Sequence, residues 1–182
     1  SGDTLTVGVF RALLNRGPID GKVSPIHRDP NGKMLLYLTG HGGEGFLKMR
    51  EVDELRATEI AQIVGDMKRL LDLSEVLLII DTCQASSDFD GIGTDGIIGI
   101  ASSKTGQPSV SSGFDSHIGV PLSDLFTRQL VRTLDVIDHN ESIKFLFDEV
   151  RKHKIGSDPV LRAFGLKRDL RDIKISEFFG PF

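Results

Sequence analysis

The sequence holds a single cysteine, no tryptophan, one tyrosine and three methionines. One cysteine excludes an internal disulfide and any multi-cysteine metal cluster. It leaves Cys83 three readings: a small buried hydrophobe, an incidental thiol, or a nucleophile. There is no surplus of positive charge. The net charge is −4 and the basic residues form no stripe, which argues against a nucleic-acid interface. No window approaches ~18 consecutive apolar residues, so no transmembrane helix is expected within this sequence. No starting methionine and no secretory signal are present, Ser1-Gly2 reads as a cleavage remnant, and the N-terminus does not disclose a compartment. Internal repeats, low-complexity tracts and inter-domain linkers are also missing. What remains, 182 residues with 39% hydrophobic and 26% charged side chains, fits one globular domain.

The apolar period changes in a regular order along the chain. Thr6 is placed to cap a short helix carrying Val7, Phe10, Leu13 and Leu14, and residues 15–33 then read as a long loop rich in proline and glycine. The run Met34-Leu-Leu-Tyr-Leu38 predicts a buried strand, followed by the turn Gly40-His-Gly-Gly-Glu-Gly45. Residues 58–71 predict an amphipathic helix with Ile60, Ile63, Val64, Met67, Leu70 and Leu71 on one face and Thr58 as its cap. Val76–Ile80 and Ile97–Ala101 predict two more buried strands, with a polar loop over 104–117. Helices are expected over 122–137 and from a Ser142 cap to about 153, and a short strand at Ile173–Ile175. Strand, helix, strand implies a right-handed crossover and a parallel pair. The expected fold class is therefore α/β, a three-layer sandwich with a mainly parallel central sheet flanked by helices.

In such sheets chemistry gathers beyond the C-terminal strand ends. The first strand runs into Thr39-Gly40-His41-Gly42-Gly43, and the second into Asp81-Thr82-Cys83-Gln84-Ala85. A single crossover helix makes these strands neighbours and puts an imidazole and a thiol on one sheet edge. The imidazole can take the thiol proton and later protonate a leaving amine. Backbone N–H groups of Gly42 and Cys83 are candidates for an oxyanion site. A structural histidine and a core cysteine fit the same residues taken one at a time.

The stretches Leu36-Tyr-Leu-Thr-Gly-His-Gly-Gly-Glu-Gly-Phe-Leu-Lys48 and Ile80-Asp-Thr-Cys-Gln-Ala85 resemble the catalytic subunits of glycosylphosphatidylinositol (GPI) transamidases, within the legumain-like, caspase-fold cysteine peptidases. Ala101-Ser-Ser103, Asp115 with Ile118-Gly-Val120, Arg168-Asp-Leu170 and Glu177-Phe-Phe-Gly180 extend the resemblance over nearly the whole chain. It implies a caspase-like domain over residues 1–182 that lacks the family's N-terminal portion, the part holding a first strand and the group that orients the histidine. It implies Cys83 as nucleophile, His41 as base, Gly42 and Cys83 as backbone oxyanion donors, and Ser102 and Ser103 as walls of a substrate pocket. The implied reaction cleaves a C-terminal GPI-attachment signal from a precursor protein and passes the new C-terminus to the ethanolamine amine of a GPI lipid. The implied partners are the precursor, the lipid and other transamidase subunits, at the lumenal face of the endoplasmic reticulum, with no cofactor and no metal. A hydrolysing legumain-like endopeptidase and an inactive caspase-fold scaffold are the alternatives.

Other features invite weaker readings. Gly91-Ile-Gly93-Thr-Asp-Gly96 fits a dinucleotide pattern, but a strand follows it where a helix would have to open, so a turn is expected. Asn140-Glu-Ser142 is a glycosylation sequon. Asp88, Asp90 and Asp95 read as a solvated acidic loop. His27, His117, His139 and His153 are assigned no chemistry.

Overall fold

The computed structural model describes residues 29–48, 54–115 and 120–180. The Thr6 helix, His27 and His117 lie outside them. The central sheet has the order β1-β5-β6-β9, built from Lys33–Thr39, Glu75–Asp81, Ile97–Ala101 and Val160–Phe164. β1, β5 and β6 run parallel, and β9 is antiparallel to β6. β5 is buried along its whole length, as its unbroken apolar run requires. The crossover from β1 to β5 carries a small antiparallel sheet of β2 (Gly42–Gly43), β3 (Phe46–Lys48) and β4 (Glu54–Arg56), then helix α1 (Ala57–Leu71).

Helices cover both faces. Ile60, Ile63, Val64, Met67 and Leu71 of α1 pack with Val76, Leu78 and Ile80 of β5 on one side. On the other, Leu77, Ile79, Ile98 and Ile100 meet α2 (Leu125–Leu134) and α3 (Ile143–Arg151) through Phe126, Leu130, Ile143, Leu146 and Val150. Alternate residues of β5 thus feed two separate cores, which is the three-layer α/β sandwich expected from the sequence. A short helix α4 (Ser176–Phe179) closes the second face beneath Ile173 and Ile175.

Several expectations need correction. The cap of α1 is Arg56 rather than Thr58. Its first turn is closed by Glu59, whose carboxylate accepts from the Arg56 amide at 2.9 Å. Part of the expected polar loop at 104–117 forms β7 (Ser111–Asp115), paired antiparallel with β8 (Val120–Asp124). α2 therefore starts after β8. Ile173–Ile175 makes only one bridge, Ser142 to Lys174, and its isoleucines serve as core. Ser142 does cap α3, accepting from the Phe145 amide at 3.1 Å. No helix among the described residues is long and apolar enough to cross a membrane.

Candidate active site

β1 and β5 pair in register from Lys33 with Glu75 to Thr39 with Asp81. His41 and Cys83 each lie two positions past that last pair, so both leave the same edge of adjacent strands. Adjacent strands are about 4.8 Å apart. The two turns are bound to each other. Gly40, at φ +151°, a backbone setting that favours glycine, donates its amide to the Asp81 carbonyl at 3.4 Å. The Lys48 amide closes the hairpin on the His41 carbonyl at 2.7 Å. Gly42 packs directly on Thr82. A β-carbon at 42 would collide with the Thr82 hydroxyl and approach the Phe46 carbonyl to 2.6 Å. The residue after the imidazole and the residue before the thiol are thus in contact because position 42 has no side chain.

Beyond Cys83 the chain turns sharply. Gln84 takes φ +57°, which costs a non-glycine residue on the order of 1 kcal/mol. The conformation is held by its amide on the Gln107 carbonyl (2.7 Å) and by its side-chain oxygen, which accepts from the Gly106 amide (2.9 Å). A 3-10 helix, Ala85–Phe89, follows, and Ser87 in it accepts from the Gly45 amide at 2.8 Å. The imidazole hairpin and the thiol turn are therefore joined at three places, Gly40 to Asp81, Gly42 to Thr82 and Gly45 to Ser87.

Cys83 is a free, half-buried thiol that donates to the Ser109 carbonyl at a long 3.9 Å. His41 is exposed. Ser102 and Ser103 are fully buried and present no surface. Ser103 donates to the Thr82 carbonyl (2.9 Å) and accepts from the Ala85 amide (3.1 Å), and Ser102 also reaches the Thr82 carbonyl at 3.3 Å. In this structure they brace the backbone on both sides of Cys83 from below.

Two acidic residues were not fully legible from the sequence. Asp81 is fully buried, and among the described residues it accepts from neutral donors, Ser109 and Thr127. Asp88, expected in a solvated loop, is also fully buried, and among the described residues neither carboxyl oxygen has a hydrogen-bond partner. Burial, then the charge of Asp90, pushes its carboxyl up to about 7. The hydrophobic neighbours Ala85 and Phe89 were the available signal, since they place the whole turn against the α1 core. Asp90 and Asp95 are exposed as expected. Among the described residues no group of three or more His, Cys, Asp or Glu could hold a metal ion. The glycine pattern at 91–96 is a turn that leads into β6.

Comparison with known proteins adds an independent line. Residues 2–180 match the model of the peptidase C13 family. A GPI-anchor transamidase of Schizosaccharomyces pombe is 32% identical over 184 residues, covering 98% of this chain and 48% of its own. The GPI-anchor transamidase of Homo sapiens is 34% identical over 154 residues, 84% of this chain and 39% of its own. That of Saccharomyces cerevisiae is 32% identical over 183 residues, 98% and 44%. The chain thus spans half or less of the length of these relatives. The crystal structure of caspase-1 from Spodoptera frugiperda superposes with a TM-score of 0.58 at 15% identity, over 86% of this chain and 67% of that one. At that identity it shows the fold alone, a caspase-like sandwich.

Proposed function

The chain belongs to the peptidase C13 family, and from that premise we propose that it carries the catalytic cysteine and histidine of a GPI transamidase. The observation that carries this reading is the contact between the two turns, Gly42 against Thr82, which holds the His41 backbone beside the Cys83 backbone. In the proposed reaction the Cys83 sulfur attacks the carbonyl carbon at the attachment site of a precursor protein. His41 accepts the thiol proton. The N–H groups of Gly42 and Cys83 receive the oxyanion. The C–N bond breaks, the proton passes from His41 to the leaving amine, and a thioester remains on Cys83. The ethanolamine amine of a GPI lipid then attacks the thioester carbon, losing a proton to His41 as the thiolate leaves. An amide bond replaces the thioester and the enzyme is restored.

Other subunits of the transamidase, the lumenal face of the endoplasmic reticulum and the group orienting His41 belong to the same proposal. The names of the relatives support the transamidase reaction itself. Water attacking the same thioester would make a hydrolase, so the acceptor is what the test must resolve. Full-length protein is incubated with a precursor peptide and hydroxylamine. Hydroxamate product is expected, absent in Cys83→Ala and reduced roughly 10²–10⁴-fold in His41→Ala. Hydrolysed peptide alone would assign the endopeptidase reading, and product surviving in Cys83→Ala would remove the cysteine from the chemistry.

A further inference from the structure

The wall beside the thiol is built from residues distant in sequence, and a single buried carboxylate joins them. Asp81 ends β5, two residues before Cys83. One of its oxygens accepts from the Ser109 hydroxyl at 2.8 Å. The other accepts from the backbone amide of Thr127 at 3.2 Å, and from the Thr127 hydroxyl. Thr127 is the third residue of α2, so its amide is one of the donors that a helix start leaves unsatisfied. The residue before the helix, Asp124, provides no side-chain cap. Asp81 does so instead from another element, with its negative charge at the positive end of the helix dipole. The Tyr37 hydroxyl, from β1, also meets the Thr127 hydroxyl. The Leu125 amide donates to the Val110 carbonyl at 2.9 Å, which fastens the segment after Ser109 to the same helix start.

Ser109 is the member of this network that reaches the thiol. Its carbonyl accepts from Cys83, and its hydroxyl is tied to Asp81 and approached by Ser102 at 3.4 Å. We propose that Asp81 is a positioning residue for the reaction at Cys83: through the Ser109 hydroxyl it holds the 107–110 segment against the thiol and fixes that wall to the strand end that carries Cys83. This rests on the reading of Cys83 as the nucleophile. A carboxylate suits the task because each of its oxygens accepts from a separate donor without a rearrangement, and burial removes competing water. Among the described residues no cation pairs with it, so its hold is directional rather than a general charge attraction.

The test uses the full-length protein and three measurements: kcat and KM for hydroxamate formation, the rate at which iodoacetamide alkylates Cys83, and the thermal midpoint. Ser109→Ala deletes the tether and spares the Asp81–Thr127 cap. It is expected to lower kcat roughly tenfold with KM within about twofold, to speed alkylation about threefold as the wall loosens, and to lower the midpoint because one buried Asp81 oxygen loses its donor. Asp81→Ala should give the same kinetic loss with a lower midpoint. Adding Ser109→Ala to it should cost nothing more, since both act through one link. Asp81→Asn can still accept from Thr127 and donate to Ser109, and should restore most of the rate. Ser142→Ala, which uncaps the remote helix α3, should lower the midpoint and leave kcat unchanged. Unchanged kcat and alkylation in Ser109→Ala, kinetic losses that add in the double variant, or a kcat loss in Ser142→Ala matching its midpoint would each overturn the proposal. Product surviving in Cys83→Ala would instead sink the reading of Cys83, and the alkylation rates would still decide whether Asp81 positions that thiol.

Discussion

β5 carries an acid at each end, and the two are treated in opposite ways. Glu75, where the strand starts, is gripped by charge. Arg168 donates to it through Nε at 3.0 Å and through a second nitrogen at 2.5 Å, and the same guanidinium holds Glu177 at 2.6 and 3.1 Å. Lys33 of β1 pairs with Glu177 and lies 4.0 Å from Glu75. Asp81, where the strand ends, is held by hydroxyls and an amide among the described residues. Nearby, the Thr82 hydroxyl and both Asp88 oxygens are buried without hydrogen-bond partners among the described residues. Gln84 sits in a left-handed conformation in the same region. One end of the sheet is satisfied and cross-linked, and the other holds unspent polar groups around a thiol. Unsatisfied groups and backbone strain lower stability and persist where surrounding structure fixes them, as it does here through Ser102, Ser103 and Gln107.

The difference can be broken most severely at the charged end. Arg168→Met would leave Glu75 and Glu177 to Lys33 alone and should cost about 3 kcal/mol, the low end for breaking a buried pair, read by denaturant unfolding at pH 7. The same end gives an acid signature. Burial alone would raise the Glu177 carboxyl, but hydrogen bonds from Arg168 and Lys33 hold it down to about 2, below the ordinary 4.5. The folded state therefore binds fewer protons than the unfolded one between those values. Its stabilisation is complete above pH 4.5 and is lost as pH falls towards 2, by about 2–3 kcal/mol in the parent and much less in Arg168→Met.

At the other end the pH dependence has the opposite sign. Asp88 ionises at about 7 when folded and at 3.8 when exposed, so the folded state binds the extra proton in that window. Stability then falls as pH rises from 4 to 7. Asp88→Asn should leave stability unchanged at pH 4 and raise it about 2–4 kcal/mol at pH 8, in paired thermal melts at the two pH values. The smallest change expected is Tyr37→Phe. It removes the phenol from Thr127 and should cost about 0.5–1.5 kcal/mol by chemical denaturation. Its effect should not vary between pH 6 and 9, because burial raises the ionisation of this phenol above its ordinary value.

The parallel core strands were legible because a fully buried strand leaves a continuous apolar run, as in Val76–Ile80 and Ile97–Ala101. β9 was not. Its residues are partly exposed, and it becomes a strand by pairing with β6 rather than by its own pattern. β7 reads as polar loop for the same reason, since its pairing with β8 is tertiary. At the site, His41 and Cys83 could be brought to one edge from strand order alone. The work of Ser102, Ser103 and Asp81 could not, because it lies in contacts to Thr82, Ser109 and Thr127 that no local spacing encodes.

The most direct test of Cys83 as the nucleophile is to trap its acyl adduct. Full-length protein is mixed with a precursor peptide, quenched in acid, digested and read by mass spectrometry. The expected result is a thioester on the peptide containing Cys83, released by hydroxylamine, and absent in Cys83→Ala. Turnover under single-turnover conditions with no adduct on Cys83, or an adduct on another residue, would contradict it.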